Sequence, residues 1–196
     1  VGGGTMLADA TSELRQFAEH LQLPVAHTLM GKGALPDDHP LILGMTGFWG
    51  TKFINDKCKG ADWIVGLGTR FAEADCSSWE EEYTFNFGPT QLIHIDIDPS
   101  EIGRNYPVAI GAVADLKQAL TALIRVAKRL CPHGIKRDTL VAEMAANRQA
   151  FGKRLAQMPL MQRQLDKLRV PSEQARTMVF QTAQALARSD AGEKDA

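Results

Sequence analysis

The chain has 196 residues, 44% hydrophobic and 23% charged, with 22 Lys and Arg against 23 Asp and Glu, so its formal net charge is −1. That length suits one globular domain with a helical appendage rather than two full domains. The balanced charge lacks the basic footprint that phosphate backbones select, so nucleic acid is not an expected partner. No apolar run approaches the roughly 20 residues that cross a bilayer, and no basic and then apolar leader opens the chain, so no membrane role is expected either.

Three cysteines, Cys58, Cys76 and Cys131, have no Cys-x-x-Cys spacing. A disulfide framework and a structural zinc site are both disfavoured, and a reducing, cytoplasmic location is expected. His20, His27, His39, His94 and His133 never fall four apart on one helix face, so no metal site is expected.

The chain opens on Val1-Gly2-Gly3-Gly4 and runs into a helical pattern in which Leu14, Phe17, Ala18 and Leu21 recur at i, i+3, i+4 and i+7. A glycine turn that feeds a helix normally follows an apolar strand, of which only Val1 is present, so the chain reads as part of a longer protein with its first strand clipped. A short apolar run over Pro24 to Thr28 follows, then a Gly-rich stretch from Gly31 to Gly50 without sustained period. A helical segment from about Thr51 to Lys59 leads to a buried-type strand over Ala61 to Leu67, a second strand over Gln91 to Ile97 and a weaker one over Val108 to Val113. Leu116, Leu120, Leu123, Ile124, Ala127 and Leu130 then mark an amphipathic helix. Apolar strands alternating with helices, without hairpin signals, predict an α/β fold with a doubly wound parallel sheet over residues 1–130.

Beyond residue 130 the strands stop. Leu140, Met144, Phe151, Leu155 and Met158 predict one long helix; Met178, Val179, Ala183 and Leu186 predict another, opened by Pro171. Residues 131–196 thus read as a helical C-terminal extension.

Ligands in open parallel sheets bind at the carboxyl ends of the strands. Gly2-Gly3-Gly4 presents backbone N–H groups at a helix start, as an anion cradle or simply as a tight turn. Gly68-Thr69-Arg70 follows a strand directly, and the Arg70 fork either holds a phosphate or carboxylate or makes a surface ion pair. In His94-Ile95-Asp96-Ile97-Asp98-Pro99-Ser100-Glu101, the spacing of Asp98, Pro99 and Glu101 predicts a helix start with Asp98 as its cap. Asp96 has no such local task and is placed to accept ribose hydroxyls or to bond nearby backbone. Asp115 reads as a helix cap, a nucleotide contact or both. The Glu80-Glu81-Glu82 run reads as a solvated face. No Gly-x-Ser-x-Gly elbow, P-loop or His-Glu-x-x-His motif is present, so the residues favour nucleotide binding over catalysis.

Taken together, Leu23-Pro24-Val25, Thr28 to Gly33, Asp38-His39-Pro40-Leu41, Leu43 to Gly47, Ala61-Asp62 through Phe71, and His94 through Gly103 stand in the order seen in the central domain of thiamine diphosphate-dependent enzymes. The chain most resembles the acetolactate synthase-like group, over about residues 1–130, with the helical tail resembling the linker to a diphosphate-binding domain. The resemblance implies a Rossmann-like domain of about six strands and a three-domain parent acting on 2-keto acids. Thiamine diphosphate and magnesium would be held by the absent N- and C-terminal domains of the same polypeptide, and the parent would be a homodimer or homotetramer. This chain has no Gly-Asp-Gly followed by an asparagine at metal-binding spacing, so alone it is expected neither to bind thiamine diphosphate nor to turn over.

The resemblance also implies FAD or ADP in the central domain, at Gly3, Gly4, Thr28, Leu29, Gly44, Met45, Thr46, Gly68, Thr69, Arg70, Asp96, Ile97 and Asp115. Where flavin-binding members read Arg-Phe-Asp-Asp-Arg, this chain reads Arg70-Phe71-Ala72-Glu73-Ala74, losing one acid and the second arginine. Thr46 likewise departs from the residue usual there. A free-standing, regulatory nucleotide-binding module is the alternative reading.

Overall fold

A computed structural model describes residues 1–150. The chain divides into two compact units, Val1–Asn147 and Arg148–Ala196, and the described strands and the helices packed on them belong to the first. The helical segments expected from Phe151 onward and after Pro171 lie outside the described residues.

Among the described residues there are five strands, all paired in parallel. β1 (Val25–His27) pairs with β2 (Ile42–Met45), while β3 (Trp63–Leu67) pairs with β4 (Gln91–Asp96), which pairs with β5 (Ile110–Val113). They form a two-stranded and a three-stranded sheet, where one sheet of about six strands was expected. The reason is local to Val1. Its amine donates to Ala26 O at 2.7 Å, its carbonyl accepts from Thr28 N at 3.0 Å, and the N–H of Gly2 donates to Leu67 O at 2.9 Å. One residue is too short to be a strand, yet these bonds follow a parallel ladder on both flanks, so Val1 and the N–H of Gly2 together bridge β1 and β3.

Side chains alternate across the strands. Val25, Ile42, Val65, Leu67, Ile93 and Ile95 join one core; Ala26, Leu43, Ile64 and Leu92 join the other. The first core is closed by α2 (Thr11–Leu21) and α4 (Leu116–Leu130). Their apolar residues recur at helical spacing, so Leu14, Phe17 and Ala18 of α2 meet Leu116, Leu120, Ile124 and Ala127 of α4. Asp115 Oδ1 accepts from Gln118 N at 2.9 Å and caps α4, while Lys128 and Arg129 suit its negative end.

The second core has less helix. The short α3 (Lys52–Lys59), capped by the Thr51 hydroxyl, supplies Ile54 and Cys58. The remainder is Phe71, Phe85, Phe87 and Tyr106, drawn from loops. Phe71 sits edge-on to Phe85, Phe87, His94 and Tyr106, with centroids 5.2–5.8 Å apart. A four-residue helix, α1 (Gly4–Leu7), follows the opening turn, and α5 (Asp138–Ala150) joins α3 through a Lys57–Glu143 ion pair and buries Met144.

Two local expectations fail. β2 lies inside the Gly-rich stretch that showed no period. Asp98 starts no helix: its carboxylate accepts from the N–H and hydroxyl of Ser100 in a turn, which Gly103 at φ +72° ends two residues after Glu101. Too few residues lie between Pro99 and that glycine to repay helix nucleation.

Candidate functional site

Because every strand runs the same way, the segments that follow them gather at one sheet edge. The tightest contact there joins the opening turn to the end of β3. Gly4 N donates to Gly68 O at 3.0 Å, and a Cβ on Gly2 would lie 2.2 Å from that oxygen. Gly68 holds φ +55°, and a Cβ there would come within 2.7 Å of Gly4 Cα. These glycines are therefore required by backbone packed on backbone. Gly2 and Gly4 spend their N–H groups on Leu67 and Gly68, and Gly3 keeps the one N–H of the turn that has no partner among the described residues.

On the β1 side of Val1, the Thr28 hydroxyl accepts from Gly31 N at 3.1 Å, and exposed Leu29 donates its N–H to Asp75 Oδ1 at 3.2 Å. That bond ties the loop after β1 to the loop after β3. Further out, Thr46 is buried and bonds His27 O through its N–H. Gly44 and Met45 lie within β2, farther from Val1. Gly44, at φ +121°, packs where a Cβ would press on Ile54 Cδ1 at 2.8 Å.

On the β3 side, Thr69 is buried and its carbonyl accepts from His94 Nε2 at 2.8 Å, fixing that ring's proton on Nε2. Arg70 is exposed and has no ion pair among the described residues. Its backbone is held by Asn105, whose amide donates to the carbonyls of Arg70 and Phe71 at 3.0 and 3.1 Å. Trp79 Nε1 also donates to Phe71 O, at 2.8 Å. Gly68 N bonds Ile95 O at 2.9 Å, which sets Gly68 beside Asp96. Asp96 is buried; its Oδ1 accepts from Asp98 N at 3.0 Å, and Oδ2 has no partner among the described residues. Ile97, next to it, is 69% exposed. Asp115 follows β5 and is engaged as the α4 cap.

The edge thus brings together the Gly2–Gly4 turn, Thr28, Gly68, Arg70 and Asp96. Asp75 and Asn105, which hold the Leu29 and Arg70 loops in place, were not singled out from sequence. Each acts across 46 or 35 residues of chain, and no local spacing signals such a bond.

The neighbouring titratable groups are not set up for nucleophilic chemistry. Burial pushes the Cys58 and Cys76 thiols up to about 12 and raises Tyr106 as well, so none ionises near neutrality. His27 is held below its usual range by burial, and its Nδ1 lies 2.9 Å from Thr28 O. Among the described residues no three His, Cys, Asp or Glu side chains cluster as a metal site would need, and no helix is long and apolar enough to cross a membrane.

Residues 1–123 match the family model described as thiamine pyrophosphate enzyme, central domain, and residues 138–196 match that of the acyl-CoA dehydrogenase C-terminal domain. A probable acetolactate synthase large subunit of Methanocaldococcus jannaschii is 44% identical over 124 residues, covering 63% of this chain and 20% of the relative. Glyoxylate carboligase of Escherichia coli is 42% identical over 130 residues, 66% of this chain and 21% of its own. The acetolactate synthase large subunit of Haemophilus influenzae is 40% identical over 139 residues, 71% of this chain and 23% of its own. The chain spans about a fifth of the length of these curated relatives. Through residues 1–123 the chain belongs to the family of thiamine pyrophosphate enzyme central domains.

Proposed function

We propose that residues 1–130 are the nucleotide-binding-type central domain of a carboligase or decarboxylase of 2-keto acids, and that the edge crevice takes the adenosine diphosphate portion of ADP or FAD. The observation that carries the crevice reading is Asp96: a buried strand-end carboxylate beside Gly68 with one oxygen unengaged. That is the group a ribose hydroxyl needs, while Arg70, unpaired and exposed, supplies a cation for the phosphates. The Gly3 N–H adds one donor, and exposed Ile97 an apolar surface beside Asp96. We read Val1 as the end of the sheet's central strand, which gives a six-stranded, doubly wound order with the crevice where the strand order reverses.

In such a parent, thiamine diphosphate supplies the carbanion chemistry. Nothing among this chain's described residues offers a metal cluster or a second electron sink, so the domain's part is to bind and to position. The parent is read as a cytoplasmic homodimer or homotetramer with magnesium at the diphosphate; free Cys58, Cys76 and Cys131 support a reducing compartment. For residues 131–196 two readings stand: the linker toward a diphosphate-binding domain, and a helical unit like the acyl-CoA dehydrogenase C-terminal domain, favoured by the match over 138–196. Sequencing the gene downstream of Ala196 separates them, since each requires a different continuation.

Calorimetric titration of ADP into the chain tests the crevice. Asp96→Ala is expected to weaken binding at least tenfold and Arg70→Ala by a similar factor, because a charge-assisted hydrogen bond contributes on the order of 1.5–3 kcal/mol. ADP binding unchanged in both variants overturns the reading. Carbon dioxide release from pyruvate by this chain with added thiamine diphosphate and magnesium overturns the assignment of a non-catalytic role.

A further inference from the structure

The two halves of the sheet edge differ in what they leave open. At the opening turn and beyond β3 and β4, the Gly3 N–H, the Arg70 guanidinium and Asp96 Oδ2 have no partner among the described residues, and Ile97 is exposed. Beyond β1 and β2 the backbone donors are spent. Thr28 N bonds Val1 O, Leu29 N bonds Asp75 Oδ1 at 3.2 Å, Thr46 N bonds His27 O, and Gly47 N bonds Asn55 Oδ1 at 3.1 Å. Thr28 and Thr46 are buried, so this half exposes only side chains such as Leu29, Phe48 and Trp49. Its cover is a strap, residues 72–76, that leaves the end of β3 and crosses to the β1 and β2 side. The strap packs so closely on the chain after β2 that a Cβ on Gly47 would lie 2.0 Å from Ala74 O and 2.5 Å from Asp75 C. Asp75 then ties it to Leu29, after β1. Val1 lies between β1 and β3, so this tie crosses the edge at the opening turn.

The strap is held at both ends. Phe71 before it and Ser77, Ser78 and Trp79 after it have φ between +48° and +60°, a region that side chains avoid and that persists only where the surroundings impose it. Here Trp79 Nε1 donates to Phe71 O at 2.8 Å, Ser77 Oγ bonds Thr84 Oγ1 at 2.8 Å, and Cys76 is fully buried. Strain kept on both sides of such a crossing points to a positional task. We infer that the strap limits the crevice to one adenine mononucleotide: the β3 and β4 half takes ADP, and residues 72–76, tied by Asp75 to Leu29, deny the β1 and β2 half to a second nucleoside or a flavin. A dinucleotide on a doubly wound sheet lies across both mononucleotide halves, and here the second half has its strand ends roofed and its donors spent. Asp75 is thus a specificity-determining residue that acts by holding the strap, through its acceptor oxygen rather than its charge. The inference rests on the crevice reading above.

The test is calorimetric titration of the 196-residue chain with ADP, FAD and ADP-ribose, the last two carrying the same ADP with a further group on its second phosphate. Both are expected to bind at least tenfold more weakly than ADP. ADP methylated on its second phosphate has the charge of these diesters without their bulk, and should bind within threefold of ADP. Asp75→Ala releases the strap and should narrow the gap between ADP and FAD to threefold or less, whereas Asp75→Asn keeps an acceptor oxygen for Leu29 and should keep the gap. Equal binding of ADP and FAD by the unaltered chain, a methyl ester as weak as FAD, a gap that survives Asp75→Ala, or one that is lost in Asp75→Asn overturns this inference and leaves the crevice reading standing. No binding of ADP overturns both.

Discussion

The two faces of the sheet are covered by different means. On one, α2 and α4 present residues at helical spacing, so each core side chain is fixed by its place on a regular element. On the other, four aromatic rings come from segments 68–90 and 104–107, which are almost wholly without regular structure, and the rings order the chain that carries them. The helical face carries its order in local periodicity, while the aromatic face acquires its order only when the rings meet. Loops placed that way can carry Arg70 and Asp75 to the site edge, which a helix packed flat on the sheet would not do.

The largest expected effects set the two faces against each other. Phe71→Ala, at the centre of the ring cluster, is expected to cost about 3–5 kcal/mol in urea unfolding, and Leu120→Ala, fully buried on α4, about 2–5 kcal/mol. Hydrogen exchange should distinguish them. Phe71→Ala should open amides of the 69–88 segment well before the rest, whereas Leu120→Ala should lower protection throughout the first unit. Identical exchange patterns would break the contrast.

Next in size is the seam between β1 and β3. In a 196-residue chain made to begin at Val1, burial lowers that residue's amine from its ordinary 8.0 to about 6, so between those values the unfolded chain binds more protons. Stability is then greatest above pH 8, falls as pH drops from 8 to 6, and is constant in this respect below 6. The full difference is about 2–3 kcal/mol, to be read from urea midpoints at pH 6 and 8. Acetylating the amine should remove the slope; a slope that persists would place its origin elsewhere.

Smaller effects belong to the helix caps, one on each face. Asp115→Ala should cost about 1 kcal/mol, and Thr51→Ala about half of that, because its bond to Ile54 N is 3.4 Å against 2.9 Å at Asp115. Circular dichroism melts check both, and the asparagine variant of Asp115 should retain most of the cap. Least of all, Lys57→Ala should change stability by at most about 0.5 kcal/mol and less at 1 M salt, since its ion pair with Glu143 is partly exposed.

What could be read from sequence follows the same division. Leu14, Phe17 and Ala18, and Leu116 through Ala127, announce helices through spacing alone, and the apolar runs of β3 and β4 announce buried strands. Phe71, Phe85, Phe87 and Tyr106 have no period, so their cluster gave no sign. At the site, Asp96 and Gly68 were placed correctly at strand ends, because the strands themselves were legible. The task of Gly2 and Gly4 was misjudged in part: their N–H groups are spent on Leu67 and Gly68, neighbours that no local pattern names.

That distance in the chain carries a consequence for synthesis. The Thr5 hydroxyl and Leu67 carbonyl that meet in the finished protein are separated by 62 residues. At about 5–20 residues per second, a ribosome takes roughly 3–12 s to make that interval. Through that interval Val1 to Thr5 lack their β3 partner, with only β1 to pair with once it emerges. The seam therefore waits on β3, and nascent-chain protection of the opening turn should begin only when β3 is clear of the ribosome.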